Sequence, residues 1–189
     1  MTEEQKKVQS KFIPYWVALL KKNKVPDNII PLLIAQIIFE SNWFSSNAYI
    51  KDNNPSGITW NNKYLKRPGA SIGIKRPGSE QDPRIKTNNY VHFDTFDSAA
   101  KDYVRVISQN GILGKPIEAK DFIDYAKRLK ANKYYTATLD SYTAGLKAQL
   151  KRMYNWFDVA ALIKNNGSNM ASLQILLIPI ILGFLFFKK

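Results

Sequence analysis

A long interruption between two helical portions constrains the fold more than any other feature of the sequence. Residues 45–89 are rich in Asn, Gly, Pro and Ser and offer only short candidate strands, around 57–60 and 72–75. Residues 90–93 form one more candidate strand, and apolar residues recur at helical spacing before and after this stretch. The pattern predicts an α+β chain that is mainly α, with a small irregular β lobe between two helical portions.

Five helices are expected from the spacing of the apolar residues. Their predicted ranges are 3–24, 32–43, 98–110, 119–130 and 141–154, with an extension of the last to 163 as an alternative. Pro31 suits the first turn of the second helix, and Ser98 is a candidate N-cap for the third. Pro14 weakens the first turns of the first helix and favours a later start.

The C-terminal residues 170–187 carry no charge and are dominated by Leu, Ile and Phe. A helix of that length spans about 27 Å, close to the about 30 Å of a bilayer's hydrocarbon core. The segment has no polar face, so a transmembrane helix is favoured over the alternative, a buried amphipathic helix. The predicted organisation is a domain over 1–163, a polar linker over 164–169 and a transmembrane helix over 170–187.

Composition excludes several kinds of site. The chain has no Cys and a single His, His92, which excludes thiolate chemistry and a His-rich zinc site. No metal or other cofactor is expected, and acid–base chemistry falls to carboxylates and tyrosines. The formal net charge of +13 favours a polyanionic partner, which could be nucleic acid, anionic lipid or bacterial wall polymer. The Lys residues are scattered and no reader motif is present, so specific nucleic-acid binding is not expected.

Glu40 stands out as a carboxylate on an apolar helix face. Leu33, Gln36, Ile37 and Glu40 share one face of the predicted helix, because residues three and four apart are neighbours there. Burial on that face and the nearby helix C-terminus would both raise the pKa of this carboxyl, which suits a general acid. The alternative is a Glu that points to solvent at a helix end or pairs with a buried Arg.

Four blocks of sequence resemble the endo-β-N-acetylglucosaminidase family of flagellar-rod and autolysin-type wall hydrolases. The blocks are Ala35-Gln36 with Glu40-Ser41-Asn42-Trp43, then Asn54-Pro55-Ser56-Gly57-Ile58, then residues 90–98, then residues 134–142. Their order and approximate spacing agree with the family over roughly residues 12–155. The last block departs from the pattern, with Leu139 where the family has Asp.

The resemblance implies a lysozyme-like fold that hydrolyses β-1,4 glycosidic bonds in the glycan strand of peptidoglycan, with Glu40 as proton donor to the glycosidic oxygen. The second catalytic carboxylate is expected at Glu80, or else at Asp82, with Asp52 as a weaker candidate. The alternative for each is an ordinary solvated loop acid. Tyr135, or else Tyr134, is expected to line the cleft near Glu40, with core packing as the alternative.

Further contacts to the glycan are expected from aromatic residues and the lobe. Trp43 and Trp60 could stack on sugar rings, since an aromatic face suits the apolar face of a pyranose. For Trp43, burial against the helices is the alternative. Gly57, Tyr134 and Asp82 complete the predicted substrate-binding residues.

The predicted compartment combines a membrane anchor with a substrate outside the cytoplasm. Residues 1–10 lack the basic start and apolar core of a secretory signal. One hypothesis is a bacteriophage protein held in a virion membrane, which reaches the wall during penetration or acts at lysis. The alternative is the bacterial inner membrane, reached by an unusual export route.

Two other functions stay open at this point. A lytic transglycosylase would use Glu40 as both acid and base and would need no second carboxylate. A non-catalytic wall-docking or structural protein of the virion membrane would keep the lysozyme-like shape and bind wall fragments without cutting them.

Overall fold

The computed structural model of the chain describes residues 3–76 and 89–165. Within those residues the elements are α1 (Glu3–Lys22), α2 (Ile30–Glu40), α3 (Asn47–Asp52), a 3-10 helix (Asn62–Tyr64), β1 (Ala70–Lys75), β2 (Asn89–Phe93), α4 (Phe96–Ile107), a second 3-10 helix (Pro116–Glu118), α5 (Phe122–Ala131), α6 (Leu139–Trp156) and α7 (Val159–Asn165). The described part is mainly helical with a small two-stranded sheet, so the predicted α+β class with a dominant α content is confirmed.

Helix α2 is the central element of the core. Every residue from Ile30 to Ile38 is buried, because the helix is apolar on all sides and is enclosed by α1 and α6. Pro31 occupies its first turn as predicted, where a missing backbone N–H costs little. Full enclosure fixes the direction of α2 and therefore the position of Glu40, its last residue.

A left-handed turn ends α2 at Glu40 instead of at the predicted Trp43. Asn42, Trp43 and Phe44 have φ values of 47°, 60° and 63°, a region that costs a non-glycine residue roughly 1–2 kcal/mol. The buried Ser41 supports the turn, since its hydroxyl accepts a hydrogen bond from the backbone N–H of Phe44 at 2.9 Å. The turn directs Phe44 into the core, where its ring stacks on that of Phe12.

The small lobe is built on an antiparallel pair of strands. In the register of β1 and β2, Ala70 lies opposite Phe93 and Ile72 lies opposite Val91. The predicted strand over 57–60 does not form as such, because this segment makes only an isolated bridge, from Thr59 to Tyr90. The structure also contains the short helix α3, which the polar composition of this stretch did not indicate.

Several helix boundaries differ from the prediction because other residues provide the caps. Thr95, not Ser98, caps α4, and its hydroxyl accepts from the backbone N–H of Ser98. Asp121 caps α5 through two backbone N–H groups, so α5 begins after the predicted residue 119. Extended backbone at Phe157 separates α6 from α7. Helix α1 runs through Pro14 instead of starting near it.

The predicted transmembrane helix, residues 170–187, lies outside the described residues. Within 3–76 and 89–165, no helix is both long enough and apolar enough to cross a bilayer. Helix α7 continues to Asn165 and therefore includes the first two residues of the predicted linker.

Candidate active site

A cavity of about 580 Å³ opens between the C-terminal end of α2, the loop after α3, and the start of α6. Its lining combines one carboxylate with aromatic and small polar groups. The lining residues are Phe39, Glu40, Ser56, Gly57, Ile58, Thr59, Asn61, Arg76, Val106, Asn132, Tyr134, Tyr135, Thr136, Ala137 and Tyr142. A cleft of this size, bounded by polar groups that can orient a ligand, has the dimensions of a ligand-binding site.

Glu40 lies in this cavity as the last residue of α2. Burial raises the pKa of its carboxyl to about 7, and a hydrogen bond from Tyr142 acts in the opposite direction. The Tyr142 hydroxyl donates to Oε1 of Glu40 at 3.2 Å. A carboxyl with a pKa near 7 is substantially protonated at neutral pH, so Glu40 can donate a proton to a leaving group.

Tyr142, which contacts the Glu40 carboxyl, lies in the first turn of α6. Its ring stacks on that of Tyr135, with centroids 3.7 Å apart and planes 6° from parallel. It also meets the ring of Phe39 edge-on at 5.7 Å. Burial and the negative charge of Glu40 raise the pKa of the Tyr142 phenol, which therefore stays a hydrogen-bond donor. Sequence reasoning missed this residue, although it closes the last of the four motif blocks.

Gln36, one turn before Glu40, anchors a buried group of tyrosines beneath the cavity. Its Oε1 accepts hydrogen bonds from the hydroxyl of Tyr103 at 2.7 Å and from that of Tyr125. These contacts tie α4 and α5 to α2, since Tyr103 and Tyr125 lie on those two helices. The sequence placed Gln36 on the same face as Glu40 but did not identify its partners.

Three more of the predicted site residues reach the cavity. Tyr134, Tyr135 and Gly57 all line it. The Tyr135 hydroxyl donates to the backbone carbonyl of Ala126 at 3.0 Å, and that of Tyr134 faces the carbonyl of Ser56 at 3.5 Å. Gly57 has a φ of +60°, so the loop at the rim uses a conformation that favours glycine.

The two predicted stacking tryptophans lie elsewhere. The Trp43 ring packs against Trp156 at 5.4 Å, and Trp60 is buried beside Tyr64 with ring centroids 6.0 Å apart. Neither is among the residues that line the cavity. Trp43 lies in the left-handed turn after α2, with a φ of 60°, and this backbone conformation replaces the helical one that the prediction assumed for it.

The predicted second carboxylates, Glu80 and Asp82, lie outside the described residues. Among the described lining residues Glu40 is the sole carboxylate. Asp52, a weaker candidate from the sequence, is buried under the lobe, where it accepts from the backbone N–H of Ile74 and contacts His92. Its position supports the β1–β2 hairpin.

Comparison with known proteins gives two similarities. A family model described as mannosyl-glycoprotein endo-beta-N-acetylglucosaminidase matches residues 13–155, which include Glu40 and the tyrosines of the cavity. The fold resembles the crystal structure of the catalytic domain of the autolysin Auto from Listeria monocytogenes. The TM-score is 0.51 and the sequence identity 17%, over 84% of this chain and 89% of that chain. No curated protein matches the chain significantly.

Proposed function

The chain belongs to the glucosaminidase family and is a glycoside hydrolase, and on that premise we propose that it hydrolyses β-1,4 bonds in the glycan strand of peptidoglycan. The observation that carries the proposal is a carboxyl with a pKa raised to about 7 in a cavity of glycan size. The likeness of its fold to an autolysin catalytic domain supports peptidoglycan as the substrate. The bond between N-acetylglucosamine and the next sugar is the proposed target.

Glu40 acts in this proposal as the general acid. The glycosidic oxygen leaves as an alkoxide unless it is protonated, and a neutral carboxyl near 3 Å from it can supply the proton. The Tyr142 hydroxyl donates to Glu40. It therefore stabilises the carboxylate that remains after proton transfer, which lowers the cost of that step.

A second group must stabilise the positive charge that develops on the sugar ring or activate water. We propose Glu80 for this role, with Asp82 as the next candidate. Arg76 lines the cavity, and the backbone carbonyl of Asn89 accepts from the N–H of Trp60 in the lobe. The described residues on either side of the segment that carries both acids therefore lie in the lobe, and one of them, Arg76, lines the cavity. A Glu80→Gln variant with greatly reduced hydrolysis, beside an active Asp82→Asn variant, would support Glu80.

A lytic transglycosylase is a second candidate for the reaction. It is favoured by one observation, the single carboxylate among the described residues of the cavity. Such an enzyme uses the substrate's own hydroxyl in place of water and leaves an anhydro sugar at the new end.

Product analysis tests the proposal directly. Purified peptidoglycan is digested with the full chain in mild detergent, and the soluble fragments are reduced and identified by mass spectrometry. Fragments with N-acetylglucosamine at a reducible end are expected. Anhydro ends would favour the transglycosylase, and the absence of soluble fragments from several wall types would contradict both enzymes in favour of a wall-docking protein.

We also propose that residues 170–187 anchor the chain in a membrane, either that of a virion or the bacterial inner membrane. The support is the uncharged apolar run in the sequence. Resistance to extraction with alkaline carbonate would agree with an anchor, and release into the soluble fraction would contradict it. Detection of the chain in purified, nuclease-treated virions would favour the virion membrane.

A further inference from the structure

An aromatic and basic surface occurs where α6 ends and α7 begins, away from the cavity that holds Glu40. It is formed by Tyr154 and Trp156 of α6 with Ala160 and Lys164 of α7, which line two adjoining hollows there, and is called here the α6–α7 surface. The side chain of Tyr154 is 54% exposed and that of Trp156 is 36% exposed, a large amount for aromatic residues. Arg152, four residues before Trp156, lies on the same side of α6 and borders this surface, while Tyr154 lies on the side that meets α7.

The composition of this surface fits a boundary between water and lipid. Tyr and Trp side chains have an apolar body and a polar tip, and they concentrate at the level of lipid headgroups. Arg and Lys near such a boundary are attracted to anionic headgroups. The acids close to it have partners within the fold, because Asp27 pairs with Lys21 at 3.6 Å and Asp158 accepts from the backbone N–H of Ala161.

Chain length connects this surface to the proposed anchor. Helix α7 ends at Asn165, and the apolar run begins at Met170. Five residues of fully extended chain reach at most about 18 Å. If the apolar run enters a bilayer, the end of α7 therefore lies within about 18 Å of its surface, and the neighbouring end of α6 comes close to the headgroups with it.

We propose that the α6–α7 surface rests on the headgroups of an anionic membrane and sets the orientation of the hydrolase domain. This inference depends on the membrane anchor of the proposed function and adds a second, peripheral contact to it. Tyr142, which binds Glu40, is twelve residues before Tyr154 in α6, a distance of about 18 Å along the helix. The surface thus places the C-terminal end of α6 at the membrane, while the Tyr142 contact to Glu40 lies near the other end of that helix.

Tryptophan fluorescence in lipid vesicles tests the proposal. The full chain is reconstituted into vesicles of phosphatidylglycerol and phosphatidylethanolamine that carry bromine near the headgroup end of the acyl chains, where bromine quenches only nearby indoles. The chain has four Trp residues. Trp16 is fully buried and Trp60 is 92% buried, so the quenched emission is expected to come from Trp156 and its neighbour Trp43.

Two conservative variants provide the comparison. With Trp43 and Trp156 contributing equally among four Trp residues, the quenched fraction of the emission should fall by about a third in Trp156→Phe. In the matched control Trp60→Phe that fraction should rise, because an unquenched emitter is removed. An unchanged or higher quenched fraction in Trp156→Phe would overturn the proposal. Circular dichroism establishes that both variants fold.

Charge reversal gives an independent measurement. Arg152→Glu combined with Lys164→Glu should reduce quenching of the native tryptophans in anionic vesicles, and the exposed Lys127→Glu of α5 should not. Equal quenching in the double variant and the control would contradict the electrostatic part of the proposal.

Flotation with the vesicles after an alkaline wash reports the anchor separately. A chain that floats but shows no Trp156 quenching would overturn the membrane contact of the α6–α7 surface and leave the anchor intact. A chain that does not float would overturn both the anchor and this inference. Peptidoglycan digestion by the same preparation reports the enzymatic proposal independently.

Discussion

Replacing Glu40 by Gln is expected to stabilise the fold at neutral and alkaline pH while removing the proposed acid. Burial raises the pKa of Glu40 from 4.5 to about 7 in the folded chain. Because the folded state holds this proton more tightly than the unfolded state, the contribution to stability is complete below about pH 4.5. It is lost progressively as the pH rises through 7. Gln is neutral throughout and does not suffer this loss.

The size of the effect follows from the difference between the two pKa values. At about 1.4 kcal/mol for each pH unit, the parent loses about 3 kcal/mol of unfolding free energy between pH 4.5 and pH 8. For a chain of this length that corresponds to a melting temperature roughly 6–12 °C higher for Glu40→Gln at pH 8. The amide oxygen of Gln can still accept the hydrogen bond from Tyr142.

Thermal unfolding of the full chain in mild detergent, followed by circular dichroism at pH 4.5 and pH 8, measures the effect. Glu118→Gln is the matched control, because Glu118 is exposed and pairs with Lys115 on the surface. That variant should follow the parent at both pH values. Equal melting temperatures for Glu40→Gln and the parent at pH 8 would contradict a raised pKa for Glu40. A gain in melting temperature that is the same at both pH values would contradict it as well.

Two further substitutions test other contacts. Tyr142→Phe should move the alkaline limb of the kcat/KM pH profile up by about one pH unit. The hydrogen bond from the Tyr142 hydroxyl lowers the pKa of Glu40, so its loss raises that pKa. Tyr135→Phe should leave that limb in place, since its hydroxyl donates to a backbone carbonyl, and equal shifts would contradict the assignment. Gly73→Ala should cost about 1–3 kcal/mol, because a Cβ there would lie 2.7 Å from the Asp52 carboxylate. An unchanged melting temperature would show that Asp52 does not constrain the hairpin.

Apolar spacing predicted α1, α2, α4, α5 and α6 but not the short helix α3. The run from Ile30 to Ile38 is almost wholly apolar, which is typical of a buried helix, and each of its residues is buried in the structure. The helix ends depended on which polar side chain provides the cap. Thr95 and Ser98 are both residue types that cap helices well, and Thr95 is the one that caps α4. The end of α2 was predicted three residues too late, because helical propensity does not indicate a left-handed turn of non-glycine residues.

The candidate site was predictable where residues share an element and less so where distant segments meet. Glu40 and Gln36 lie one turn apart on α2, so the spacing placed them on one face. The contact between Glu40 and Tyr142 joins residues far apart in the chain and depends on how α6 crosses α2. Trp43 follows Glu40 closely in sequence, yet its ring packs on Trp156 outside the cavity, after a left-handed turn that the sequence did not indicate.

Digestion of purified peptidoglycan by the parent, Glu40→Gln and Glu118→Gln tests whether Glu40 is the catalytic acid. All three are purified as full chains in the same detergent, and the initial rate of clearing is measured at pH 6, where the Glu40 carboxyl is largely protonated. We expect Glu118→Gln to clear walls like the parent, and Glu40→Gln, which should fold and be at least as stable, to be slower by about a hundredfold or more. Clearing by Glu40→Gln at the rate of the parent would contradict the claim that this carboxyl is the catalytic acid.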